Sequence, residues 1–263
     1  MKINYYEYES KLKFLFKTIF KVTDKFCDMI FENKLSKSDV FAQICDNQLV
    51  AVSYAISFDV KINNEIKKCI YIYGVSVAED YRGRGLSKKL LSEIYEYYKD
   101  KNISFLYLVP ENEGLFKMYE KLGYKTEFYL NKKIFDLNKI KYFQNDTVSG
   151  DYTSDFENYV IKNNFNPLIL RKKEDIEAIL SYTIYKKEGE SGFLYEADGK
   201  TALVRESFLY NENDLNSFLS YLKDFGYEKA IITNYGNQKY EYAMVKRYED
   251  ISFENGYTNM NFD

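Results

Sequence analysis

The sequence predicts an α/β (α+β) protein built from two related lobes, and three observations carry that expectation. Segments with apolar residues at helical spacing alternate with short β-rich runs along the whole chain. The order helix pair, hairpin, strand, helix, strand, helix, strand fills the first half and returns, shortened, in the second. At 263 residues, 46% of them apolar, the chain holds one large domain or two small ones with a sizeable core.

Taken in order, residues 8–22 and 24–33 place Leu12, Phe14, Leu15, Ile19 and Phe20, then Phe26, Met29 and Ile30, at helical spacing. Residues 40–44 and 49–58 are β-rich, joined by Asp46-Asn47-Gln48 as a hairpin. Residues 69–77 carry few charges, as in an inner strand. The turn Tyr81-Arg82-Gly83-Arg84-Gly85 leads into an amphipathic helix over 86–98, with Leu86, Leu90, Leu91, Ile94 and Tyr98 on its apolar face. A strand over 105–109 ends at Pro110, and a short helix over 115–121 stops before Gly123. Strands over 125–130 and 134–137 close this half. The polar stretch 145–154 reads as a linker, dividing the chain into domains 1–145 and 146–263. Beyond it, 156–163 and 173–185 are expected to be helical, and 192–197 and 200–208 to form a hairpin around Asp198-Gly199. A helix over 214–225 ends at Gly226, followed by strands over 228–233, 242–248 and 257–262.

Composition excludes several chemistries. The chain has no histidine, which removes Ser-His-Asp and Cys-His nucleophile systems, HExxH zinc sites and any imidazole base. Acid–base work falls to carboxylates, Tyr, Lys, Cys, water or a chain terminus. Cys27, Cys45 and Cys69 form no CxxC pair, so no metal site is expected; Cys45 and Cys69 lie among apolar residues and read as buried small side chains. A sparse, odd cysteine count suits a reducing cytosol, and no apolar run approaches the roughly 20 residues that cross a bilayer, so a cytoplasmic location is expected. A net charge of −3 gives no global pull on nucleic acid or membrane. The many tyrosines and phenylalanines are spread along the whole chain, as base composition alone would leave them.

The chemically informative segment is Arg82-Gly83-Arg84-Gly85-Leu86-Ser87, between a strand and a helix. Glycines at 83 and 85 let the backbone turn tightly and bring N–H groups close to a ligand. A helix starting near Leu86 adds its free amides and the positive end of its dipole. With Arg82 and Arg84 this makes a pyrophosphate site. A Walker loop is excluded because no GxxxxGK[ST] is present, and a dinucleotide GxGxxG because Lys88 stands at the third glycine. A plain glycine turn with two solvated arginines is the alternative.

The segment YRGRGLS resembles the acetyl-CoA loop of GNAT-type N-acetyltransferases, Q/R-x-x-G-x-G/A, with Arg82, Gly85 and Ser87 at the patterned positions and Ser87 departing from Gly or Ala. Residues 109–124, VPENEGLFKMYEKLGY, resemble that family's second signature, NxxAxxxYxKxGF, with Leu115 in place of Ala. The resemblance spans roughly residues 5–137 and is best over 70–125. It implies a GNAT-like mixed, mostly antiparallel twisted sheet flanked by helices, followed by a second, degenerate GNAT-like lobe. It further implies an N-acetyltransferase that passes an acetyl group from acetyl-CoA directly to a primary amine, without a metal. The cofactor residues it implies are Val75, Ser76 and Val77 on a splayed strand, then Arg82, Gly83, Arg84, Gly85, Leu86, Ser87, Asn112, Phe116 and Tyr119. Tyr119 falls where the family protonates the leaving thiolate; a core aromatic beside Phe116 is its alternative. Glu79, with Asp80, either faces the site as a base or caps the loop. The chain also resembles multidomain aminoglycoside acetyltransferases of the enhanced-intracellular-survival type, in which a catalytic half precedes a GNAT-like half and the C-terminal carboxylate is the base. That implies Asp263, although this chain lacks their third, sterol-carrier-like domain.

In the second half the corresponding turn is Leu209-Tyr210-Asn211-Glu212-Asn213-Asp214, with no glycine, no arginine and two carboxylates that repel a pyrophosphate. This lobe is therefore expected not to hold CoA and either to shape the acceptor cleft or to serve as a structural partner. The expected partner is a small-molecule or peptide amine, with neither nucleic acid nor membrane. A non-catalytic acyl-CoA-binding or regulatory module is the competing function.

Overall fold

The computed structural model describes residues 1–141, 143, 149–253 and 256–257. In chain order its elements begin β1 (Lys2–Ile3), α1 (Tyr5–Phe20), α2 (Asp24–Asn33), β2 (Asp39–Cys45), β3 (Gln48–Ile62), β4 (Glu65–Val77), α3 (Leu86–Tyr98), β5 (Phe105–Leu108), α4 (Glu113–Glu120) and β6 (Lys125–Asp136). They continue α5 (Tyr152–Asn163), β7 (Leu168–Ile169), α6 (Lys173–Leu180), β8 (Ile184–Glu188), β9 (Ser191–Asp198), β10 (Thr201–Phe208), α7 (Glu212–Asp224), β11 (Lys229–Thr233) and β12 (Lys239–Arg247). The architecture is mixed α/β with mostly antiparallel sheets flanked by helices, as expected.

The chain divides into two compact units. Among the described residues the first contains 1–127, 167–178 and 243–253, and the second 128–141, 143, 149–166, 179–242 and 256–257. A single cut at 145/146 does not reproduce this partition, because residues 128–141 pack in the second unit while 167–178 and 243–253 pack in the first.

In the first unit the strand order is β1-β2-β3-β4-β5-β12, antiparallel throughout except for the parallel pair β4–β5. In the second it is β8-β9-β10-β11-β6, antiparallel except for the parallel pair β10–β11. Setting aside the two-residue edge strand β1 of the first, each unit has three antiparallel strands, a parallel fourth and an antiparallel fifth, and in each the third strand is bulged and followed by a 13-residue helix. The fifth strand explains the interleaving. Residues 244–247 of β12 pair with β5, while residues 132–136 of β6 pair with β11, so each sheet is closed by a strand from the other half of the sequence.

Each unit has its own core. In the first, Ile70, Ile72, Leu106 and Leu108 of the sheet pack with Leu90, Leu91 and Ile94 of α3. In the second, Phe193, Tyr195, Val204 and Ile232 pack with Leu215, Phe218 and Leu222 of α7. The face used by α3 follows its expected apolar positions, and Gly123 is left-handed at φ 87° as a residue following a helix end.

Some expectations change. The helix expected over 173–185 ends at Leu180, and Ile184 and Tyr185 begin β8. Thr183 and Ile184 are β-branched, and the Thr183 hydroxyl bonds back to the Ile179 carbonyl at 2.7 Å, closing the last turn. Cys45 is exposed at the end of β2 rather than buried, because the chain turns at once through Asp46 and Asn47, both left-handed. Cys69 is buried as expected. The linker expected over 145–154 lies partly outside the described residues, and α5 begins within it, capped by Asp151. Of the strand expected over 257–262, only Tyr257 is described.

Candidate functional site

The site begins where β4 bulges against β3 and parts from β5. On the β3 side, Tyr73 pairs with Tyr54 and Ser76 with Val52, so Gly74 and Val75 together oppose Ser53 alone. This is a bulge, and Gly74 sits in it at φ 63°. A Cβ there would also come within 3.2 Å of the Tyr54 ring, so glycine is required twice over. On the other side, β5 pairs with β4 only at Cys69, Ile70 and Tyr71. From Ile72 to Val77, β4 continues beside β3 while β5 ends at Leu108, which leaves a wedge along the Val75–Val77 edge. Val75 and Val77 are half-buried and Ser76 is buried, its hydroxyl bonded to the Val52 carbonyl at 3.4 Å.

Beyond the strand, Glu79–Tyr81 form a single 3-10 turn with Glu79 exposed, its carbonyl accepting from the Arg82 amide at 3.1 Å. Gly83 and Gly85 both have φ 74°, and a Cβ on either would meet no atom within 4 Å. Gly85 leads directly into α3, whose N-terminus has no side-chain cap. The first-turn amides and dipole of a 13-residue helix therefore face the loop. Arg82 donates from Nε to the Val77 carbonyl at 3.3 Å, tying the loop to the end of β4. Arg84 donates to the Asp80 carbonyl at 2.9 Å and its guanidinium lies 4.8 Å from the Tyr81 ring. Both arginines are exposed.

Leu86, Leu115, Phe116, Val75 and Val77 pack around one cluster that contains buried Tyr119. The structure thus brings the edge of β4, the start of α3 and the inner face of α4 together. Tyr119 is 5% exposed, and burial pushes its phenol up to about 12. It meets the Tyr124 ring edge-on at 6.0 Å. Asn112 is exposed and caps α4, its side-chain oxygen accepting from the Leu115 amide at 3.2 Å. Ser87 is half-buried in the first turn of α3. Asp263 lies outside the described residues.

The second unit shows what an occupied helix terminus looks like. At the start of α7, Asn211 caps the Asp214 amide at 2.9 Å. The buried Asp214 carboxylate then accepts from the Glu190 and Ser191 amides, the Ser191 hydroxyl and the Asn211 side chain at 2.8–3.2 Å. The α7 terminus is thus capped by Asn211, while the Asp214 carboxylate is held by the β8–β9 turn and the Asn211 side chain. That carboxylate was legible in the sequence as a repulsive charge; its bonded place in the turn was not. Among the described residues no three acidic or cysteine side chains gather as a metal site, and no helix is long and apolar enough to cross a membrane.

Solved structures share this fold at low identity. A probable N-acyltransferase from Enterococcus faecalis V583 superposes with a TM-score of 0.71 at 15% identity, over 94% of this chain and 72% of that one. A GCN5-related N-acetyltransferase from Kribbella flavida gives 0.67 at 14%, over 94% and 70%. Eis1 from Mycobacterium abscessus gives 0.62 at 8%, over 94% and 73%. No curated protein matches the chain. Residues 7–126 match the family described as an acetyltransferase (GNAT) domain, the stretch that holds the bulge, the wedge, the glycine loop and α4. That stretch, somewhat under half of the chain, is thus similar to the acetyltransferase (GNAT) domain family.

Proposed function

We propose that the first unit transfers an acetyl group from acetyl-CoA to a primary amine by direct attack, and that the second, a degenerate repeat, holds no CoA. The observation that carries this is the pairing of an uncapped α3 N-terminus behind Gly83 and Gly85 with the bulged, half-unpaired end of β4. The open space at both glycines and the free first-turn amides fit a pyrophosphate, whereas in the second unit the start of α7 carries no glycine and is capped by Asn211. Bound acetyl-CoA supplies an activated thioester.

The loop amides at 83–87 and the Arg82 side chain bind the diphosphate. Backbone groups of Val75, Ser76 and Val77 pair with the pantetheine arm, and an amide at Val77 polarises the thioester carbonyl. Asn112 and Phe116 flank the arm from the α4 side, with Leu86 and Ser87 at the start of α3, while Arg84 contributes charge from the rim. Tyr119, kept neutral by burial, donates its proton to sulfur as negative charge develops. Glu79 takes the amine's proton from the solvent side. A cytoplasmic setting accords with three unbridged cysteines.

Thiol release from acetyl-CoA, measured with and without a panel of primary amines, tests this reading. Amine-dependent release with acetylated product is expected. Binding of CoA with no release on any amine would instead establish an acyl-CoA-binding module.

A further inference from the structure

Helix α4 ends in a turn that sets two tyrosines against each other. Gly123 is left-handed at φ 87°; its amide donates to the Glu120 carbonyl at 2.9 Å, and the Tyr124 amide donates to the Tyr119 carbonyl at 3.1 Å. This pair of bonds is the Schellman closure of a helix, which packs the side chain after the glycine on the last turn. The Tyr119 and Tyr124 rings accordingly meet at 6.0 Å and 62°. From β12, Lys246 holds the turn, its ammonium donating to the Leu122 carbonyl at 2.9 Å.

Tyr124 is 2% exposed, and its hydroxyl has no hydrogen-bond partner among the described residues. A buried hydroxyl left unpaired is destabilising, and phenylalanine would fill the same space without that cost. Burial and the neighbouring Tyr248, Tyr119 and Tyr95 phenols hold Tyr124 well above the usual tyrosine range, so it stays protonated. It is a donor whose hydrogen is unused at rest. Tyr119 has the opposite need. Once its proton has passed to sulfur, its oxygen carries a negative charge in surroundings that push the phenol up to about 12. A buried oxyanion without a donor is costly, and a hydrogen bond to a charged oxygen is stronger than a neutral one.

We infer that Tyr124 is a positioning residue for acetyl transfer, whose hydroxyl turns its unused hydrogen toward the Tyr119 oxygen as that oxygen loses its proton. In this step the Tyr119 O–H bond breaks and an S–H bond forms. The electron pair left on the Tyr119 oxygen accepts from Tyr124, which keeps its own proton, and water returns a proton to Tyr119 after the thiol leaves. This rests on the acetyl-transfer reading, with Tyr119 as its acid, and adds a residue to which that reading gives no part.

A double-mutant cycle on the full chain tests this, with acetyl-CoA as donor and, as acceptor, the primary amine of the panel that gives the fastest thiol release. Urea unfolding is run alongside. Tyr124→Phe is expected to lower kcat about tenfold, the effect of one hydrogen bond to a charged oxygen, with KM for acetyl-CoA unchanged and the urea midpoint equal or higher. In a chain that already carries Tyr119→Phe, adding Tyr124→Phe is expected to lower kcat no further. An unchanged kcat in Tyr124→Phe, or the same loss repeated in the double variant, overturns the assignment and leaves acetyl transfer intact. Full kcat in Tyr119→Phe alone does the same, because no charge then forms on that oxygen. A lowered urea midpoint, or a Tyr124→Phe chain that does not fold, also overturns it, since the hydroxyl is then already bonded at rest. No release on any amine sinks this assignment and acetyl transfer together.

Discussion

Replacing Gly85 by aspartate separates the stability of the loop from its ligand chemistry. Gly85 has φ 74° and open space around its Cβ, so any substitution meets backbone strain and no clash. A left-handed non-glycine residue costs about 1 kcal/mol, somewhat less for Asp, which tolerates that region. Against this, a carboxylate at the uncapped start of α3 contributes about 0.5–1 kcal/mol as a cap and dipole partner. The net change in folding stability is therefore expected to stay within about 1 kcal/mol. Binding behaves differently. A carboxylate about 5 Å from a phosphate charge opposes it by about 1–3 kcal/mol, depending on how much water screens the pair. Taking about 2 kcal/mol, CoA affinity should fall about 30-fold. Gly85→Ala carries the same strain without the charge and should weaken CoA by no more than a few-fold. Calorimetric titration of CoA into each variant, with urea unfolding alongside, reads both quantities. CoA binding to Gly85→Asp at wild-type strength, or an equal loss in Gly85→Ala, would refute the placement of the diphosphate in this loop.

Four further outcomes follow from named contacts. Arg82→Ala should weaken CoA by about 1 kcal/mol more than Arg84→Ala, since Arg82 sits beside the end of β4 while Arg84 is held against Asp80 and Tyr81; calorimetry giving equal losses or the reverse order would show the loop is used differently. Tyr119→Phe keeps the ring in its core and should lower kcat about 100-fold with KM for acetyl-CoA nearly unchanged, as steady-state kinetics would show. Because burial raises this phenol from 10 to about 12, the neutral form favours the fold. The stabilisation it provides is complete below pH 10 and lost between pH 10 and 12, so alkaline unfolding should be shallower in Tyr119→Phe. A fragment of residues 1–145 lacks residues 244–247, which pair with β5, and should show no cooperative unfolding transition; a sharp transition in that fragment would mean the closing strand is dispensable.

Much of the first unit was legible because its signals are local. Apolar spacing marks α1 and α3, the left-handed pair Asp46-Asn47 marks the β2–β3 turn, and two glycines beside a helix start mark the loop. The same kind of signal extends β3 and β4 to Ile62 and Glu65, where Asn63 and Asn64 turn left-handed, although apolar content alone stops near Phe58. The elements of the proposed donor site were legible for the same reason, since the loop and α4 are each continuous in sequence. Strand partnership was not. Nothing in 132–136 or 244–247 says which sheet those residues join, because an edge accepts any strand of matching pattern and tertiary packing decides. β8 was obscured because Ile179, Tyr182 and Ile184 continue a helical spacing past the point where the chain turns. The β4 bulge was equally hidden. Gly74 is one glycine in an apolar run, and only the register with β3 shows that it takes an extra place.

The central claim is a single acyl-donor site, built by the first unit at the uncapped start of α3, while the start of α7 in the second is capped by Asn211. Calorimetric stoichiometry of CoA on the full chain measures it most directly. One CoA per chain is expected in the wild type, and likewise one per chain, with unchanged affinity, in Asp214→Asn. Two molecules per chain, none, or a loss of affinity on changing Asp214 would contradict it.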